Sequence, residues 1–105
     1  MTEDNVSLGG NIELSGFKDL DSGSMVIIKK IVGNYAKRFS QRIPNFERIR
    51  VIMKPVHERE HSEKYEIHAH LTVGGNPFIA EDTDRNLFFV LDNVLRRVEE
   101  SASKA

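Results

Sequence analysis

The stretch Tyr65-Glu66-Ile67-His68-Ala69-His70-Leu71-Thr72-Val73, followed by Gly74-Gly75-Asn76, Pro77-Phe78-Ile79-Ala80 and a two-faced segment ending at Val98, decides how this chain folds. In its first part apolar and polar side chains alternate, so one face of a strand packs and the other meets water or a partner. Gly74-Gly75-Asn76 forms a turn into a short strand over residues 77–80, where Pro77 suits a strand start or an edge. Asp82, Thr83 or Asp84 then caps a final helix. The packed stripe of that helix is Leu87, Leu91, Val94, Leu95 and Val98, with Phe88 at its margin.

Upstream, residues 46–56 place Ile49, Val51 and Met53 on one face of a strand and Arg48, Arg50 and Lys54 on the other. The polar run 57–64 is the connection to the Tyr65 strand. Residues 25–42 have helical spacing, with Met25, Ile28, Val32, Tyr35, Ala36 and Phe39 on one face. Lys30, Asn34, Lys37 and Gln41 lie opposite, flanked by Lys29 and Arg38. Asp21, Ser22 or Ser24 caps this helix, Gly33 weakens it, and Pro44-Asn45 ends it. Ile12 and Leu14 mark a short first strand over 11–15, and residues 1–10 read as a disordered tail. The order β-α-β-β-β-α predicts an α+β fold, a four-stranded, mostly antiparallel sheet with two helices packed on one face. Residues 11–105 form a single domain.

The 105 residues and 39% hydrophobic content suit one core and no more. With no Cys, neither a disulfide framework nor a thiolate metal site is available. The first ten residues carry no basic, apolar leader pattern, and no apolar run is long enough to span a bilayer. A soluble, cytoplasmic protein is expected.

A formal net charge of −1 argues against a protein that coats nucleic acid with a uniformly basic surface. The average conceals segregation, because residues 29–54 carry Lys29, Lys30, Lys37, Arg38, Arg42, Arg48, Arg50 and Lys54 against Glu47 alone. The segments on either side are net acidic. Distant acids are screened over roughly 10 Å at moderate salt, so such a region can attract phosphate on a near-neutral molecule. The competing reading is an ordinary solvated helix face.

This element order and the last helix together resemble the ribosome hibernation-promoting factors, also called ribosome-associated inhibitors. Their final helix carries an aromatic, then Ala-Ala-Ile-Asp, a Leu/Ile pair, and a basic residue followed by Leu. Phe88-Phe89-Val90-Leu91-Asp92-Asn93-Val94-Leu95-Arg96-Arg97-Val98 is similar, with Leu91-Asp92 at the Ile-Asp step and Arg97 at the basic one. The strand, Gly74-Gly75 turn and Ala80-Glu81 also look like the family's, and the resemblance covers residues 11–100. It departs in about two extra residues between Glu81 and Phe88, in the charged 57–64 connection, and in a loosely matching first helix.

The resemblance implies a protein that occupies the decoding region of the small ribosomal subunit, blocks the mRNA and tRNA sites in resting cells, and catalyses nothing. Independently, Lys30, Lys37, Arg38 and Arg42 on a helix and Arg48, Arg50 and Lys54 on a strand are candidate rRNA phosphate contacts. Arg97 joins them from the family motif. These cations are expected to converge into one continuous surface. Phe89, His68 and His70 are candidates for stacking on bases, against the plainer reading of one exposed aromatic and two solvated histidines.

His57-Glu58-Arg59-Glu60-His61 satisfies the HExxH pattern, in which two imidazoles one helical turn apart bind zinc beside a catalytic Glu. Pro55 before it, charged residues within it and a strand after it do not make the long buried helix that this chemistry requires. No catalytic site, metal or cofactor is expected. The alternatives are a general structured-RNA-binding module acting off the ribosome, a protein-interaction module using the outer sheet face, and the metallopeptidase.

Overall fold

The computed structural model describes residues 5–7, 11–57 and 63–104. Its elements are β1 (Asn5–Ser7), β2 (Ile12–Ser15), α1 (Ser22–Arg42), β3 (Phe46–His57), β4 (Glu63–Val73), β5 (Asn76–Asp84) and α2 (Leu87–Lys104). The strands form one sheet in the order β1-β2-β3-β4-β5, with β2 and β3 parallel and every other pair antiparallel. From β2 onward this is the expected β-α-β-β-β-α arrangement, and α1 is the crossover that a parallel pair needs.

Alternation decides which face is covered. Ile12 and Leu14, Ile49, Val51 and Met53, Ile67, Ala69 and Leu71, and Ala80 are buried on one side of the sheet. Against them pack Ile28, Val32 and Phe39 of α1 and Leu91, Val94, Leu95 and Val98 of α2, in a single core. Each fully buried Leu, Ile or Phe stabilises the fold by about 1.5–3 kcal/mol relative to exposure. Helix α2 lies over β4 and β5, and α1 lies beside it, touching β2 and β3. Where β4 meets β5, Ala69 sits opposite Ala80, two small side chains that leave room for α2.

Two turns depend on backbone that only certain residues adopt readily. Gly74 and Gly75 both have positive φ between the paired residues Val73 and Asn76, the tight two-residue hairpin that follows strand twist. Gly16 has φ of +87°, and a Cβ there would stand 2.0 Å from the carbonyl oxygen of Met53. This close approach lets the chain leave β2 across β3.

Four expectations change. Within the tail expected over 1–10, Asn5–Ser7 form a short strand that pairs with the otherwise open edge of β2 and satisfies its backbone groups, while 1–4 and 8–10 lie outside the described residues. The fourth expected strand, 77–80, runs on to Asp84, which still pairs with Tyr65. Asp82, Thr83 and Asp84 therefore belong to the ladder, and Asn86 caps α2: its Oδ1 accepts the Phe89 N–H at 3.1 Å. For α1, Asp21 is the cap, its Oδ2 accepting the Ser24 N–H at 2.9 Å, which holds its carboxyl below the usual range. The 57–64 connection shortens, since β3 reaches His57 and β4 starts at Glu63. The centre of the HExxH match, 58–61, lies outside the described residues.

Candidate nucleic-acid interface

Helix α1 contains no Asp or Glu, so nothing on its own surface neutralises Lys29, Lys30, Lys37 and Arg42, all exposed. Lys30 and Lys37 are two turns apart and point the same way, about 10 Å from each other along the axis. Such spacing reaches two phosphates at once. No carboxylate pairs with any of these four among the described residues.

Arg38 is different. Its Nη2 donates to Glu99 Oε1 of α2 at 2.6 Å, and its guanidinium lies 4.9 Å from the centre of the Tyr35 ring. Glu99 is buried, 7% exposed. The Tyr35 hydroxyl donates to Asp92 Oδ1 at 2.7 Å, and burial together with that bond pushes the phenol up to about 12. Arg38 Nε and Glu99 Oε2 are buried without partners, and they are the atoms that a parallel two-bond Arg–carboxylate pairing would join. The arrangement clamps α1 to α2. Sequence reasoning placed Arg38 with the phosphate contacts because the clamp partner, Glu99, is remote in sequence. A partial signal existed, since Glu99 is one turn from both Leu95 and Ala102, at the edge of the apolar stripe.

On α2, Arg97 is exposed and its Nη1 donates to the Glu81 carbonyl at 3.1 Å, tying the helix to β5. Asn93 Nδ2 donates to Asp82 Oδ2 at 2.6 Å, and Arg96 Nη2 donates to Asn93 Oδ1 at 2.9 Å. Phe89 stands clear of the core, 56% exposed, beside these polar groups.

The strand cations are elsewhere. Since Ile49, Val51 and Met53 face the helices, Arg48, Arg50 and Lys54 must face away from them. The expected single basic surface is therefore split in two, one part on the helix layer and one on the open face of the sheet. That open face is itself divided. Arg50 is opposite His70 on one side and Glu13 on the other, and Arg48 is opposite Thr72. These five residues line a depression of about 190 Å³. Further along, Lys54 is opposite Glu66, and a depression lined by Glu66, Glu81, Asp82 and Thr83 is acidic.

His68 belongs to the acidic half: its Nε2 meets Glu66 Oε2, and its Nδ1 lies 3.2 Å from Glu81 Oε2. The hydrogen bond to His68 holds the Glu66 carboxyl below its usual range. The flanking carboxylates engage both ring nitrogens of His68 and repel phosphate. His70 belongs to the basic half, and burial, then the charge of Arg50, then that of His68, push its imidazole down. No group of three or more potential metal-ligating side chains occurs among the described residues. No helix among them is long and apolar enough to cross a membrane.

The class these features define is an α+β domain with one helix-covered sheet face, one open face and an acid-free basic helix. No protein-family model matches the sequence, and no curated protein does. Solved structures do match. A ribosomal subunit interface protein from Coxiella burnetii has a TM-score of 0.57 at 15% identity, over 90% of this chain and 92% of that one. The N-terminal domain of Protein Y from Thermus thermophilus has a TM-score of 0.57 at 12% identity, over 90% of this chain and 93% of that one. The chain shares their fold over nearly its whole length, which bears out the resemblance to the hibernation-promoting factors at the level of fold.

Proposed function

We propose that this protein is a cytoplasmic ribosome-associated inhibitor of translation that lodges in the decoding region of the small subunit, holds rRNA phosphates, and obstructs the mRNA and tRNA sites in resting cells. The single observation that carries the reading is the absence of acids from α1, with Lys30 and Lys37 aligned and Arg42 in its last turn, on a fold shared with a ribosomal subunit interface protein. Binding of this kind draws affinity from phosphate neutralisation and selectivity from shape, because structured RNA hides its base edges in a deep, narrow groove. Arg97, on the β5 side of the neighbouring helix, and the exposed Phe89 are the further contacts in this reading. Arg38 contributes by fixing the two helices side by side. No chemical step is part of this function.

The test is sedimentation of tagged protein with ribosomes through sucrose gradients at increasing salt. Wild-type protein should migrate with small subunits or monosomes and dissociate as salt rises. The variant Lys30→Glu/Lys37→Glu/Arg42→Glu should stay at the top of the gradient with unchanged circular dichroism. Comigration of that variant would remove α1 from the interface, and wild-type protein confined to the top fractions would overturn ribosome association.

A further inference from the structure

The depression on the open sheet face has the makings of a second anion site. Arg48 and Arg50 are two residues apart on β3, about 7 Å along the strand. Their partners across β4, Thr72 and His70, complete a four-sided cluster, with cross-strand Cβ distances of about 5 Å. This offers two guanidinium groups, a hydroxyl and an imidazole, with the Glu13 carboxylate at one side, around an open depression of about 190 Å³ that admits a phosphate group with room to spare. Arg48 has no carboxylate partner among the described residues. Among the described residues Arg50 has only Glu13, at a loose 3.8 Å between Nε and Oε2, with both side chains partly exposed.

His70 sits at the centre of the cluster. It is surrounded by Arg50 on β3, Glu13 beyond it on β2, His68 on its own strand and Ile79 on β5. Burial first, then the charges of Arg50 and His68, push its imidazole down, so it gives up its proton more readily than usual. Among the residues lining the depression the one carboxylate is Glu13, and its long contact with Arg50 leaves both guanidinium groups with donors to offer an incoming anion. On the far side of His70, Ile79 is 59% exposed, an apolar shelf next to the charged cluster.

We propose that the Arg48/Arg50/His70/Thr72 depression binds a single phosphate group, of a nucleotide or of an RNA backbone, on the face opposite the basic helix. The site stands independently of ribosome association. With it the domain carries phosphate-binding groups on both of its layers and can hold two phosphate-bearing segments at once. Lys54, farther along the same strand opposite Glu66, is not part of it.

The experiment is an NMR titration of the full chain at low salt with inorganic phosphate, then with a 5′-mononucleotide, then with a short RNA carrying a 5′-hydroxyl. Saturable shifts at Arg48, Arg50, His70 and Thr72, with the His70 ring titrating at higher pH once phosphate is bound, are expected. Arg48→Gln should weaken the response about tenfold, and Arg50→Gln similarly, with the rest of the spectrum preserved. Stronger binding of the mononucleotide assigns the site to a terminal phosphate, and stronger binding of the RNA assigns it to the diester backbone. Shifts confined to α1, an unmoved His70, or unaltered binding by both Gln variants would overturn the site. None of these outcomes depends on ribosome sedimentation, so the two readings fail separately.

Discussion

Truncating Arg38 tests the helix clamp, and the burial of the pair sets the size of the effect. Arg38→Ala removes a 2.6 Å charge-assisted bond and the contact over Tyr35, and leaves Glu99 with its side chain only 10% exposed and no cation beside it. A hydrogen bond to a charged group contributes about 1.5–3 kcal/mol, and a stranded buried carboxylate adds to the cost of losing it. Because the Arg38 side chain is 43% exposed, water enters where it stood, so the expected loss is about 2 kcal/mol. For a domain of this size that lowers Tm by about 10 °C.

The complementary change, Glu99→Ala, leaves Arg38 free to turn into solvent and should cost about 1 kcal/mol. The double variant should cost clearly less than the sum, with a coupling of about 1 kcal/mol in urea unfolding. Additivity within about 0.3 kcal/mol would refute the clamp. Below its unfolding temperature, Arg38→Ala should still sediment with ribosomes.

Two glycines separate strain from propensity. Gly33→Ala, in α1 with nothing within 4 Å of the added Cβ, should stabilise by about 0.5–1 kcal/mol, while Gly16→Ala should destabilise by more than about 2 kcal/mol; denaturant midpoints check both. Tyr35, held up to about 12 in the folded chain against an ordinary value of 10.0, favours folding fully below pH 10. The unfolded phenol ionises first, so this contribution falls as pH rises from 10 to 12. Alkaline unfolding followed by circular dichroism should show the loss, and Tyr35→Phe should flatten it.

Much of the fold is legible in the residues because it follows from local periodicity. Alternation in Tyr65–Val73 and in Ile49, Val51 and Met53 picks the buried sheet face, and the stripes of Ile28, Val32 and Phe39 and of Leu91, Leu95 and Val98 pick the helix faces that meet it. The Gly74-Gly75 turn is equally local, since its backbone geometry needs no distant partner. Strand ends and caps were less visible. The ladder to Tyr65 keeps Asp84 extended, and the choice of Asn86 over three other capping residues depends on where that pairing stops.

By itself the sequence determined that cations cluster between residues 29 and 54, because charge is a property of composition. Only the tertiary structure decided where those charges go. Helix cations project from one layer, and the same alternation that buries Val51 turns Arg48 and Arg50 to the opposite side. Arg38 is diverted to a carboxylate far along the chain, His68 is held between Glu66 and Glu81, and His70 is set against Arg50. The physical reason is that covalent order fixes which side chains are near in sequence, whereas the electrostatic partner of each is whatever packing brings within a few ångströms.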